Sequence, residues 1–88
     1  MKDKLKKTLK NKLSRDIVAF FYQNQGSIDS VGGVSAWVND ERSKVQSALD
    51  KLVKLGVLEK DSTEATKGYC YTRDKKVMKI VKELMRDV

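Results

Sequence analysis

Histidine and proline are absent from the sequence, and cysteine occurs only once, as Cys70. Because histidine is the commonest general base and the commonest metal ligand, its absence argues against hydrolytic and metal-dependent catalysis. A lone cysteine excludes an internal disulfide and any zinc site built from several cysteines. The sequence has no run of about 18 apolar residues, the length of a membrane-spanning helix, and its N-terminus lacks the apolar block of a signal peptide. We therefore expect a cytoplasmic protein that is not an enzyme, needs no cofactor or metal and has no membrane partner.

The charge of the chain is strongly positive and unevenly distributed. Its 88 residues, enough for one domain, carry a formal net charge of +7. Residues 1–12 hold six lysines against one aspartate, and residues 73–88 hold six basic against three acidic side chains. Residues 13–72 are almost neutral, with seven basic and eight acidic side chains. The total indicates an anionic partner, nucleic acid first, whereas the neutral middle weakens that interpretation.

Apolar residues at helical spacing predict helices over 13–25, 31–38, 41–55 and 75–88. Ser14 is a candidate N-cap for the first of these, because its hydroxyl can accept a hydrogen bond from an unpaired backbone amide. Gly26 and Gly56 follow the first and third helices and are expected to end them, Gly26 in the left-handed conformation. Trp37 lies beside the apolar stripe of the second helix, and we expect it in the core or at its edge.

The lysine-rich segment 1–12 contains Leu5 and Leu9, four residues apart, and Leu13 continues the series. This spacing gives a thin apolar stripe on a helix. Two interpretations stay open. The segment is either a frayed or lightly docked helix that keeps the protein soluble, or a basic arm that contacts phosphates.

Two short segments after the third helix have β character. Residues 57–61 are β-prone, and residues 69–72 alternate, with Tyr69 and Tyr71 on one side and Cys70 on the other. A polar stretch closed by Gly68 separates them, which predicts a β-hairpin with a long turn. Cys70 has no histidine to activate its thiol, so we interpret it as structural.

The order helix, helix, helix, hairpin, helix resembles the winged helix-turn-helix superfamily. The residues that carry the resemblance are Val34, Trp37, Val38 and Asn39, then Val45, Ala48, Leu49, Leu52, Leu55, Gly56, Val57, Leu58 and Glu59, and finally Gly68, Tyr69, Cys70, Tyr71 and Thr72. The resemblance covers residues 13–72. It implies a mainly α protein with a three-helix core and a two-stranded wing, flanked by the basic segment 1–12 and a C-terminal helix within 73–88.

In small bacterial and archaeal regulators of this superfamily, the helix that ends in Leu-Gly-apolar-apolar is the recognition helix. The matching helix here is 41–55, so the resemblance implies a transcriptional regulator that reads the major groove of double-stranded DNA.

Side chains on the exposed faces of helix 41–55 are the first candidates for DNA contact. Arginine can pair with guanine and glutamine with adenine, and Arg42 and Gln46 are four residues apart on one face. Lysines and hydroxyls favour phosphates. The full candidate set is Arg42, Ser43, Lys44, Gln46, Ser47 and Lys51 on the helix, with Thr63 and Lys67 on the wing. An ordinary solvated surface is the competing interpretation, and Asp50 and the acidic residues of the wing count against close DNA approach.

Seven of the fourteen residues in 75–88 are apolar, a wider stripe than a single contact needs. The helix is similar to the dimerisation helices of MarR-like and ArsR-like regulators, which implies a homodimer through Val77, Val81, Leu84 and Val88. In the alternative, Leu5 and Leu9 cover the stripe and the protein is a monomer. The near-neutral middle of the chain also leaves open a protein-interaction module that binds a protein partner and no DNA.

Overall fold

The computed structural model describes residues 2–61 and 68–86 and contains five helices and three strands within them. In chain order these are α1 (Lys2–Thr8), α2 (Lys12–Gln23), β1 (Ile28–Asp29), α3 (Val31–Val38), α4 (Arg42–Lys54), β2 (Leu58–Asp61), β3 (Gly68–Tyr71) and α5 (Lys75–Arg86). The predicted fold class is confirmed: α2, α3 and α4 form the helical core, and β2 and β3 form the wing. The lysine-rich segment and the C-terminal segment add one helix each.

The three strands form one antiparallel sheet in the order β1-β3-β2. Leu58 pairs with Tyr71 across the wing, and Ile28 pairs with Cys70 on the other side of β3. Gly68 of β3 lies against Ile28 of β1, because a Cβ added to it would sit 2.5 Å from Cγ2 of Ile28. A side chain at position 68 would therefore displace the Ile28 side chain or the strand that carries it. Strand β1 is only two residues long, and its pairing with β3 joins the connector after α2 to the wing.

One hydrophobic core joins all parts of the described chain. Its buried residues are Leu5, Leu9, Ile17, Val18, Phe20, Phe21, Val34, Val45, Leu49, Leu52, Val57, Leu58, Tyr69, Tyr71, Val77 and Val81. Helix α1 contributes Leu5, which is fully buried. Helix α5 contributes Val77 and Val81. The lysine-rich segment is thus a docked helix rather than a frayed extension of the domain.

The helix ends agree with the local sequence signals at some positions and differ at others. Asn11, not Ser14, caps α2: its side-chain oxygen accepts a hydrogen bond from the amide of Ser14 at 3.1 Å. Gly26 does not adopt the left-handed conformation, whereas Gly56, with φ of 83°, does so just after α4. The chain reverses after α3 at Asn39, which has φ of 58°, a conformation that asparagine tolerates better than most residues.

Trp37 is the main departure from the predicted core. Its side chain lies on α3 and is 54% exposed, with its ring centroid 4.7 Å from that of buried Phe20. The indole therefore contacts the core through Phe20 while about half of the residue stays open to solvent. Val34 is the apolar side chain of α3 that is fully buried, and Trp37 lies at the edge of the core.

Candidate nucleic-acid interface

Helix α4 turns one face into the core and the opposite face to solvent. Val45, Leu49 and Leu52 are fully buried at helical spacing. Most of the predicted contact residues on this helix are exposed, namely Arg42, Ser43, Lys44, Ser47 and Lys51, while Gln46 is half-buried. With 3.6 residues per turn, Ser43 and Ser47 lie near the middle of the exposed face. Lys44 and Lys51 border it on one side, and Gln46 and Asp50 border it on the other.

The side of α4 that faces the wing is closed by a hydrogen-bond network. The Gln46 amide nitrogen donates to the Tyr69 hydroxyl at 2.6 Å and to Oδ1 of Asp50 at 3.0 Å. The Tyr69 hydroxyl in turn donates to the same carboxylate oxygen at 3.0 Å. Because both hydrogens of the Gln46 amide are used within the chain, this group is not presented freely to a base edge. Tyr69 was not predicted as a partner of Gln46, since 23 residues separate them.

Arg42 lies at the start of α4 against α3. A Cβ added to Gly32 would sit 3.0 Å from Nη2 of Arg42, so the guanidinium rests on the backbone of the first turn of α3. The absence of a side chain at Gly32 leaves room for the Arg42 guanidinium at this point. Arg42 is still exposed, and its long side chain can leave this position to reach a base or phosphate.

The other side of α4 borders an open groove. Its far wall is the α1–α2 junction, which contributes Lys7, Thr8, Asn11, Lys12, Leu13 and Ser14. Its near wall is α4 together with Asp40 before it, and the helix contributes Ser43, Lys44, Ser47, Ala48 and Lys51. We call this feature the α1–α4 groove. The sequence indicated lysines in both segments but gave no local signal that they face each other.

Of the wing, the structure describes β2 and β3. The candidate residues Thr63 and Lys67 lie outside the described residues. On β2, an oxygen of the Glu59 carboxylate accepts a hydrogen bond from the backbone amide of Arg73 at 2.8 Å. Glu59 and Asp61 share one face of the strand pair with Cys70, whereas Lys60 shares the other face with Tyr69 and lies 5.9 Å from its ring centroid.

The predicted dimerisation residues are divided between core and surface. Val77 is 6% exposed and Val81 is fully buried within the single chain, so a second copy cannot cover them. Leu84 is half-buried, and Val88 lies outside the described residues. The apolar surface that α5 leaves to a partner is thus narrower than the sequence predicted, because the chain's own core already covers part of the stripe.

Three consecutive side chains of β3 hold their protons more tightly than usual. Burial raises the pKa of Tyr69 and of Cys70, and the Glu59 carboxylate raises the Cys70 value further. Burial, with a contribution from the Tyr22 hydroxyl, raises the pKa of Tyr71 to about 12. A higher pKa means less thiolate at neutral pH, which agrees with a structural role for Cys70.

The raised Tyr71 pKa predicts that the protein loses stability in alkali. The unfolded chain releases this proton near pH 10.0, whereas the folded chain keeps it until about pH 12. Between these values the unfolded state binds fewer protons, so the free energy of unfolding falls, by about 1.4 kcal/mol per pH unit for one such group. Urea unfolding at several pH values measures this slope. Tyr71→Phe should flatten it in part, because Tyr69 and Cys70 act in the same direction; an unchanged slope would contradict the assignment.

Metal-ligating clusters and membrane-spanning helices are both absent from residues 2–61 and 68–86. No three side chains among the cysteine and the carboxylates of these ranges are grouped so that they could hold a metal ion. No helix in the same ranges has the length and apolar character needed to cross a membrane.

The three-helix core with its wing defines a winged-helix fold. Neither a scan of protein-family models nor a search of curated proteins found a match to this chain. Among solved structures, the chain is similar to reduced HlyU from Vibrio cholerae N16961, with a TM-score of 0.71. The likeness covers 93% of this chain and 82% of the HlyU chain, at 21% sequence identity. A likeness at this level of identity shows the shared fold.

Proposed function

We propose that this protein binds double-stranded DNA through α4 and acts as a transcriptional regulator. The observation that carries the proposal is the exposed face of α4, which stands clear of the core in a winged-helix fold and has lysines along one border. The structural likeness to HlyU supports the winged-helix fold on which the proposal rests. The net charge of +7 favours association with a polyanion.

The exposed face suits the major groove, which is wide enough to admit an α-helix. Ser43 and Ser47 are small and polar, so the helix axis can approach the base edges closely. Lys44 and Lys51 at the border are placed for phosphates, which fix orientation without reading sequence. Arg42 is the candidate for a guanine contact. Gln46 is a weaker candidate for adenine, because a base would have to compete with Tyr69 and Asp50 for its amide.

The test is binding to mixed-sequence duplex DNA, followed by fluorescence anisotropy over a series of salt concentrations. Affinity should fall steeply with salt, since each neutralised phosphate releases counterions. Ser47→Glu places a carboxylate in the middle of the exposed face and should weaken binding about tenfold or more through repulsion of the phosphates. Gln23→Glu makes the same charge change at an exposed position of α2 and should have little effect on DNA affinity. If the wild type does not bind duplex DNA at low salt, the proposal is wrong.

A protein-interaction module is the second candidate function, and exposed Trp37 favours it. Tryptophan is enriched at the centres of protein interfaces, and Trp37 is 54% exposed. The near-neutral charge of residues 13–72 also suits a protein partner better than DNA. This candidate takes over if duplex binding fails.

A homodimer through α5 belongs to the proposal as a separate element. The half-buried apolar residues of α5 that a second copy could cover further are Met78, Ile80, Leu84 and Met85. Two copies related by a two-fold axis would present two α4 helices to a palindromic site. A monomer can bind DNA without this contact, so DNA binding through α4 and dimerisation through α5 are tested independently.

A further inference from the structure

The lysines of α1 have fixed positions in the fold. Leu5 is fully buried and Leu9 is 6% exposed, so the helix is anchored on its apolar side. Lys2 pairs with Glu83 of α5 at 3.4 Å, and the carbonyl of Leu9 accepts a hydrogen bond from Nη1 of Arg15 at 3.5 Å. Lys7 is therefore held on a defined surface next to α4, unlike a lysine on a flexible arm.

The α1–α4 groove collects positive charge from two distant parts of the sequence. Four lysines line it, Lys7 and Lys12 from the α1–α2 junction and Lys44 and Lys51 from α4, against a single carboxylate, that of Asp40. Lys4 extends the basic surface beyond Lys51, towards Leu55. The fold thus places four lysines from two separate segments of the chain around one groove.

Most of these charges are not neutralised within the described part of the chain. Lys12 pairs with Asp16 at 2.8 Å. The ion pairs of residues 2–61 and 68–86 include neither Lys7, Lys44 nor Lys51. Like charges held close together repel one another and retain counterions, and a polyanion that replaces those counterions gains from their release.

We infer that the α1–α4 groove holds one phosphate backbone of a DNA duplex while the exposed face of α4 lies in the adjacent major groove. This inference rests on the proposed function and adds to it the segment 1–12, whose lysines become part of the interface. Ser43 and Ser47 connect the two surfaces, since they belong both to the exposed face of α4 and to the groove wall. The hydroxyls of these serines can donate to the same phosphates.

The opposite border of α4, where Gln46 and Asp50 lie, is less basic than the α1–α4 groove. The Asp50 carboxylate repels phosphates there, and Lys60 of β2, 5.9 Å from the Tyr69 ring centroid, is a basic side chain placed on that side by the strand register. The α1–α4 groove, with four lysines and one carboxylate, attracts a phosphate backbone more strongly. The groove lining contains no aromatic side chain, among the described residues, on which an unpaired base could stack. A single strand, which is usually bound by such stacking, therefore gains less from this groove than a duplex does.

The test compares two triple substitutions of equal charge. One removes the groove lysines, Lys7→Gln with Lys44→Gln and Lys51→Gln. The other removes three exposed lysines of α5, Lys75→Gln with Lys79→Gln and Lys82→Gln, which lie on a different surface. The slope of log affinity against log salt is negative, and its magnitude should fall by about 0.9 for each phosphate that is no longer neutralised. For the groove triple the magnitude should therefore fall by about 2 to 3. The α5 triple should change it far less.

The outcomes separate this inference from the proposed function. Equal weakening in the two triples would mean that affinity follows net charge alone, which overturns the groove assignment while DNA binding stands. A groove triple that weakens single-stranded DNA binding more than duplex binding would also overturn it. Absence of duplex binding by the wild type would overturn both proposals.

A second measurement does not depend on how well the triples fold. With Cys70→Ser removing the one native cysteine, Lys7→Cys carries a tethered iron chelate that cleaves nearby DNA backbone. Cleavage should be confined to a few nucleotides at one edge of the bound site. Cleavage no stronger than that from a probe at Lys79→Cys would contradict a backbone strand in the groove.

Discussion

Leu49→Ala should destabilise the fold by about 2–5 kcal/mol, the range for deleting a fully buried leucine. Leu49 is inaccessible to solvent in the middle of α4, directly beneath the exposed face. A small domain has a free energy of unfolding near the lower end of about 5–15 kcal/mol, so this change removes much of the total. Urea denaturation followed by circular dichroism gives the change as a shift in midpoint.

Ser47→Ala is the matched control for Leu49→Ala, because Ser47 lies on the same helix and is exposed. An exposed substitution of this kind should stay within about 0.5 kcal/mol of the wild type. If Leu49→Ala changed stability as little as Ser47→Ala does, α4 would not pack on the core through this face. The face of α4 that carries Ser43 and Ser47 would then not be the solvent-exposed face, and the proposed DNA interface would be wrong.

Leu5→Ala should also cost about 2–5 kcal/mol, although Leu5 belongs to the lysine-rich segment. The reason is its complete burial in the core that also contains α2, α4 and α5. Lys6→Ala, an exposed change on the same helix, is the control and should be nearly neutral. A frayed or unattached segment would make the two substitutions equally mild, and that result would contradict the docked α1.

The docked α1 changes how its lysines must be tested. Removing residues 1–12 would take Leu5 and Leu9 from the core, so a decrease in DNA binding could reflect unfolding alone. Substituting Lys7 leaves the apolar anchor in place and changes only the surface charge. The loss of stability in Leu5→Ala measures what the segment contributes to folding. The loss of DNA affinity in the lysine substitutions measures what it contributes to binding.

The sequence predicted most of the fold because its strongest signals are local. The apolar spacing of α4, the glycine after it and the alternation of β3 each involve residues a few positions apart. The cap of α2 was wrongly predicted because two suitable polar residues, Asn11 and Ser14, stand one turn apart. Sequence alone does not say which of them lies at the helix start, and the packing of α1 decides it.

The candidate site was predicted less completely because it depends on contacts between distant residues. Nothing near Gln46 indicates that Tyr69 and Asp50 hold its amide, and nothing near Lys7 indicates that α4 lies opposite. The exposure of Trp37 depends on how the whole of α3 sits on Phe20. Periodicity identifies which residues share a face of a helix, but the tertiary arrangement determines what that face meets.

Mapping the contact surface by nuclear magnetic resonance tests DNA binding through α4 most directly. An isotope-labelled sample of the full chain is titrated with a mixed-sequence duplex at low salt, and the backbone amide shifts are followed residue by residue. The changes should concentrate at the first two turns of α4 and at the α1–α2 junction, while the Trp37 indole stays unchanged. Shifts confined to Trp37 and its neighbours, or no shifts at all, would contradict DNA binding through α4.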